Sequence, residues 1–104
     1  MGKVEQNLQT KILQDLNSMG KHCVAFDVMK CSEDGVPDVY FTTVKTGSVW
    51  VEVKKPDGVW SKKQQEMCQR MHECGTRSYV AWLWSDWVKI KKELGLDVIS
   101  NSIL

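Results

Sequence analysis

A chain of 104 residues, 42% hydrophobic and 26% charged, fits one domain (1–104) with one core; its composition excludes disordered and collagen-like chains. The formal net charge of +1 gives no general pull on a polyanion, but residues 51–104 hold nine Lys plus Arg against seven acids, whereas residues 1–50 hold five Lys against six. No apolar run is long enough to span a bilayer and the N-terminus MGKVEQNLQT lacks a signal-peptide core, so a cytoplasmic protein with no membrane partner is expected.

Val4, Leu8, Ile12, Leu16 and Met19 recur at three- or four-residue spacing, with Leu13 widening the stripe. This predicts a first helix that stops at Gly20. Residues 22–29, HCVAFDVM, read as a strand, and Lys30–Gly35 as a polar loop. Val36-Pro37 then forces the chain to be extended. Residues 38–44, DVYFTTV, are β-branched and aromatic, KTGS (Lys45–Ser48) is turn chemistry, and VWVEVK (Val49–Lys54) follows. Two strands so closely linked read as an antiparallel hairpin.

The PDG loop at Pro56–Gly58 leads to Ser61, and Ser61-x-x-Gln64 has the form of a capping box. The helix it opens carries Met67, Cys68, Met71 and Cys74 as its expected buried stripe and ends at Gly75. Residues 78–83, SYVAWL, predict a short strand buried on both faces. A last helix, from about Asp86 to Leu94, turns Trp87, Ile90 and Leu94 to one side. The order is α-β-β-β-α-β-α. Cys23, Cys31, Cys68 and Cys74 form no CxxC and fit no zinc spacing, so free thiols are expected.

The charges inside the hairpin need a reason. Alternation along VWVEVK puts Val49, Val51 and Val53 on one face and Trp50, Glu52 and Lys54 on the other. Asp38 starts the partner strand, so the hairpin brings it towards the Glu52–Lys54 end. Two converging carboxylates repel unless a positive charge lies between them, and a divalent cation supplies it. All-oxygen ligands, including a backbone carbonyl next to Glu52 such as that of Val53, suit Mg²⁺ or Mn²⁺ better than Zn²⁺. Such a cation suggests phosphodiester hydrolysis, with Lys54 orienting the attacking water or offsetting transition-state charge. A plain ion pair on an exposed strand is the competing explanation.

Pro37-Asp38 followed by Glu52-Val53-Lys54 resembles the PD-(D/E)xK nuclease superfamily. The closer resemblance is to the VRR-Nuc (virus-type replication-repair nuclease) family, carried by Glu5 in the first helix, Gly35-Val36-Pro37-Asp38, Glu52-Val53-Lys54 and Ser61-Lys62-Lys63-Gln64. The likeness covers nearly the whole chain. It implies an α/β nuclease-like fold with an αβββαβ core, a central mixed sheet flanked by helices, plus a C-terminal helix.

The same resemblance implies Asp38 and Glu52 as metal ligands and Lys54 as the catalytic lysine. Gln64 would line the site, and Glu5 would help through a water or a second ion. Both have a simpler role as well, Glu5 against the helix dipole and Gln64 in the cap. Stand-alone family members are similar to Holliday junction resolvases, so the expected partners are branched DNA and a second copy, with no small-molecule cofactor. A flap nuclease and a non-catalytic branched-DNA-binding module are the alternatives. A phage or prophage source would suit so short a chain. Lys30, Lys55, Lys62 and Lys63 are candidate phosphate contacts. Trp60 is a candidate for stacking on an unpaired base or, alternatively, a cap on the core edge. Trp82 and Trp87 read as core or dimer interface.

Overall fold

Periodicity and turn chemistry together build a four-stranded mixed sheet with helices on both faces. The computed structural model describes residues 3–28 and 35–96, the side chains of residues 3–6 excepted. Its elements are α1 (Lys3–Asn17), a 3-10 turn (Gly20–His22), β1 (Cys23–Asp27), β2 (Val39–Thr43), β3 (Gly47–Val53), α2 (Lys62–Glu73), β4 (Arg77–Ala81) and α3 (Trp84–Leu94). The sheet order is β1-β2-β3-β4. β1 pairs with β2 and β2 with β3 antiparallel, while β3 and β4 run parallel through the α2 crossover.

The core lies on one face. Leu8, Ile12 and Leu16 of α1 and Trp87, Ile90 and Leu94 of α3 cover Val39, Phe41, Val49, Val51 and Val53. Trp87 meets Phe41 edge-on, with ring centroids 5.8 Å apart, and donates its indole N–H to Asp15 Oδ2 at 2.8 Å. Lys91 reaches the same oxygen at 2.8 Å. That cluster joins α1 to α3 over the covered sheet face and gives the buried indole its acceptor. Trp87 is therefore core, whereas Trp82 is half-buried and donates its indole N–H to Gly58 O at 2.9 Å.

Several expectations need correction. The stripe of α2 is not buried: Met67, Cys68 and Met71 are half-exposed and Cys74 is exposed. The helix lies over β4 on the face opposite α1 and α3, which leaves its apolar side only partly covered. β4 is not buried on both faces, since Arg77 is exposed and Tyr79 and Val80 are half-buried. The hairpin turn is tighter than KTGS, with Gly47 and Ser48 already in β3. α3 begins two residues early, because Asp86 Oδ2 accepts from the Trp82 and Leu83 amides at 2.9 and 3.0 Å. This carboxylate holds the first turn without a Ser or Thr cap.

Cys23, Cys68 and Cys74 are free thiols, and Cys31 lies outside the described residues. Among the described residues no helix is long and apolar enough to cross a membrane.

Candidate active site

Strand register brings the two acids together. Val39 faces Val51 across β2 and β3, so the next pair in that register is Asp38 and Glu52. Alternation sets both on the face of Tyr40 and Trp50, away from the valine core. Asp38 follows the buried Pro37, and its carbonyl accepts from the Val28 N–H at 2.7 Å. Its Oδ2 accepts from the Val53 N–H at 3.1 Å. The side chain is thus tied to the strand that carries Glu52, beside the backbone expected to offer the Val53 carbonyl.

Glu52 is only 5% exposed. Its Oε2 accepts from Gln64 Nε2 at 2.9 Å and lies 3.5 Å from Lys54 Nζ. Its other oxygen, Oε1, is buried with no hydrogen-bond partner among the described residues. Burial pushes the Glu52 carboxyl up, the Asp38 carboxylate beside it adds to the rise, and Lys54 offsets part of it, leaving a pKa of about 8. An acid so placed is costly to ionise unless a cation joins it. While Glu52 is protonated it can share that proton with Asp38, and this hydrogen bond also raises its pKa. Once both acids ionise, a hard divalent ion would satisfy the buried oxygen and the carboxylate beside it, so the residues present would suit Mg²⁺ or Mn²⁺. Among the described residues no group of three or more His, Cys, Asp or Glu side chains is gathered to hold a metal. A cation held by the carboxylate pair would therefore need backbone and water oxygens as further ligands.

Gln64 belongs to both the cap and the site. Its amide N–H donates to Ser61 Oγ at 3.1 Å, and its Oε1 accepts from the Ser61 N–H at 2.9 Å. Its Nε2 remains to hold Glu52. The turn before Asp38 packs directly on this helix start. Gly35 has φ +85°, and a Cβ there would lie 2.7 Å from the Lys63 carbonyl oxygen and 3.2 Å from the Gln64 nitrogen. Only glycine meets both demands.

Around this centre the expected residues divide. Lys55, Lys62 and Lys63 are exposed near the β3–α2 connection. Trp60 is half-buried, and its carbonyl accepts from Gln65 Nε2 at 2.8 Å. Lys30 and the Glu5 side chain lie outside the described residues. The Glu5 backbone is in the N-terminal part of α1, whose Gln9 meets Asp27 at the end of β1 nearest Asp38.

One feature of this face was missed from sequence. Phe26, Tyr40 and Trp50 form a row across β1, β2 and β3, with centroids 5.2 and 4.9 Å apart. The available signal was spacing: Tyr40 stands two residues after Asp38, and Trp50 two before Glu52. No protein-family model and no curated protein matches the chain.

Proposed function

We propose that this chain is a Mg²⁺- or Mn²⁺-dependent, structure-selective DNA endonuclease of the VRR-Nuc type, with the PD-(D/E)xK nuclease core. It acts as a homodimer on branched DNA, four-way junctions first. The observation that carries the reading is the buried Glu52 carboxylate beside Asp38, its Oε1 bonded to no other group among the described residues. Asp38, Glu52 and the Val53 carbonyl are the groups that would hold the cation. When bound, it supplies Lewis acidity towards a phosphate oxygen and lowers the pKa of a bound water.

The other steps belong to the chain itself. Lys54 lies 3.5 Å from Glu52, where its ammonium orients the attacking water and offsets charge building on the phosphate. Gln64 fixes the rotamer of Glu52 through its 2.9 Å bond. Lys55, Lys62 and Lys63 position the backbone without reading bases, which gives selectivity for structure over sequence. Two copies would present two such centres, one for each strand at a branch.

The test is cleavage of duplex, flap, splayed-arm and four-way-junction DNA of matched sequence, with Mg²⁺ or with EDTA. The junction is expected to be cut fastest, and only with the metal. Lys54→Ala is expected to fold as the parent does, by circular dichroism, and to lose cleavage by at least about a hundredfold. A Lys54→Ala protein that cuts at the parental rate would contradict the assigned chemistry. So would the absence of any metal-dependent product across the panel.

A further inference from the structure

Among the described residues, nothing covers the sheet face that carries Asp38 and Glu52 over β1, β2 and most of β3, because α2 lies on β4 and the end of β3. Phe26 is 49% exposed and Val24 57% exposed on this open face. Tyr40 and Trp50 lie half-buried beside Phe26, with the Tyr40–Trp50 ring planes at 63°. Tyr40 is fixed by a 2.7 Å bond between its hydroxyl and Ser48 Oγ. The row is thus a rigid aromatic strip two residues, or about 7 Å, from the two acids along each strand.

The geometry points to a platform for unpaired bases of the DNA strand that enters the candidate cleavage site. This inference rests on the nuclease reading and deepens it, since it names a single-stranded segment beside the branch as part of the substrate. Aromatic rings accept any base on their faces, so the strip would add affinity without sequence preference.

The aromatic row itself carries no charge that would repel a polyanion. Among the described residues this face of β1–β3 carries no carboxylate apart from Asp38 and Glu52, because Asp27 points to the other side and bonds Gln9 of α1. At the far end of β1 and β2 lies a pocket of about 320 Å³ lined in part by Lys21, His22, Val24 and Thr42. Lys21 there is placed to meet a phosphate of the strand leaving the aromatic row.

Area argues against a second copy as the occupant. Three strands about 4.8 Å apart and five residues long give a strip of roughly 14 by 17 Å. That is well short of the roughly 800 Å² per partner of a standard protein interface, yet it is long enough for a few nucleotides.

The test uses the whole chain in EDTA, with fluorescence anisotropy of labelled (dT)12 and of a twelve-residue abasic strand with the same phosphates. The parent is expected to bind (dT)12 about tenfold more tightly than the abasic strand. Phe26→Ala is expected to reduce that ratio to about twofold, and Phe26→Trp to restore it. Equal ratios in parent and Phe26→Ala would overturn the inference, as would a parent that does not distinguish the two strands. Sedimentation in which Phe26→Ala turns a dimer into a monomer would overturn it in favour of a subunit interface.

Cleavage is scored separately on the parent. Base-dependent binding without metal-dependent cutting would sink the nuclease reading and leave the platform standing. Cutting without base-dependent binding would sink the platform alone.

Discussion

Glu52 is the residue on which the chemistry turns, and its environment makes a prediction opposite in sign to that of a salt-bridged acid. Its folded pKa of about 8 lies above the ordinary 4.5, so between those values the folded protein binds more protons than the unfolded chain. Stability must then fall as pH rises through that window, by up to a few kcal/mol on this group's account. In EDTA, thermal unfolding is expected at lower temperature at pH 8.5 than at pH 5, and Glu52→Gln should remove that difference. Adding Mg²⁺ at pH 8.5 should raise the parent's melting temperature and leave Glu52→Gln unmoved. A metal-free parent that grows more stable from pH 5 to 8.5, with Glu52→Gln behaving alike, would show that the carboxyl is not held this way. That Asp38, Glu52 and Lys54 converge was legible in the sequence, because alternation and hairpin pairing are local rules. The bond from Gln64 to Glu52 was not, since it joins a helix cap to a strand twelve residues earlier. Only the likeness of the Ser61–Gln64 motif hinted at it.

At the scale of elements, the turn before Asp38 and the start of α2 form one unit, locked by Gly35. Gly35→Ala would need a φ of +85° and would push a Cβ to 2.7 Å from the Lys63 carbonyl. A loss of about 2 kcal/mol or more is expected in denaturant unfolding, together with reduced cleavage because Gln64 shifts away from Glu52. Unchanged unfolding would mean that the turn does not rest on the helix. The helix stripes show what periodicity can and cannot tell. The spacing of the first helix predicts a buried stripe, and Leu8, Ile12 and Leu16 of α1 and Met19 just beyond it are buried, with Leu13 partly so, while the Val4 side chain lies outside the described residues. The stripe of α2 obeys the same spacing but has no buried member. Periodicity reveals an apolar side and is silent on how much of the sheet lies across from it. α3 started early for a different reason: its cap is a carboxylate inside the helix, reaching back to Trp82 and Leu83.

For the whole molecule, the division between a covered and an open sheet face sets both stability and function. The covered face is tied together by Asp15, which accepts from Trp87 and pairs with Lys91. Asp15→Ala would leave a fully buried indole N–H without its acceptor and separate α1 from α3, at a cost of about 1–3 kcal/mol in denaturant unfolding. A cost below about 0.5 kcal/mol would show that the cluster is incidental. The order of helices and strands could be read ahead because each has its own punctuation. Which sheet face stays open could not, because alternation labels two faces of every strand without saying which one a helix will cover. The face opposite the core holds the two acids, at the edge of what α2 covers, and the proposed chemistry depends on their sharing one ion. The most direct measurement is Mn²⁺ binding by calorimetry to the parent, Asp38→Asn, Glu52→Gln and Lys54→Ala, with the fold of each checked by circular dichroism. Saturable binding is expected in the parent, lost in both acid variants and kept in Lys54→Ala. Folded Asp38→Asn and Glu52→Gln proteins that bind Mn²⁺ as the parent does would contradict the proposed chemistry.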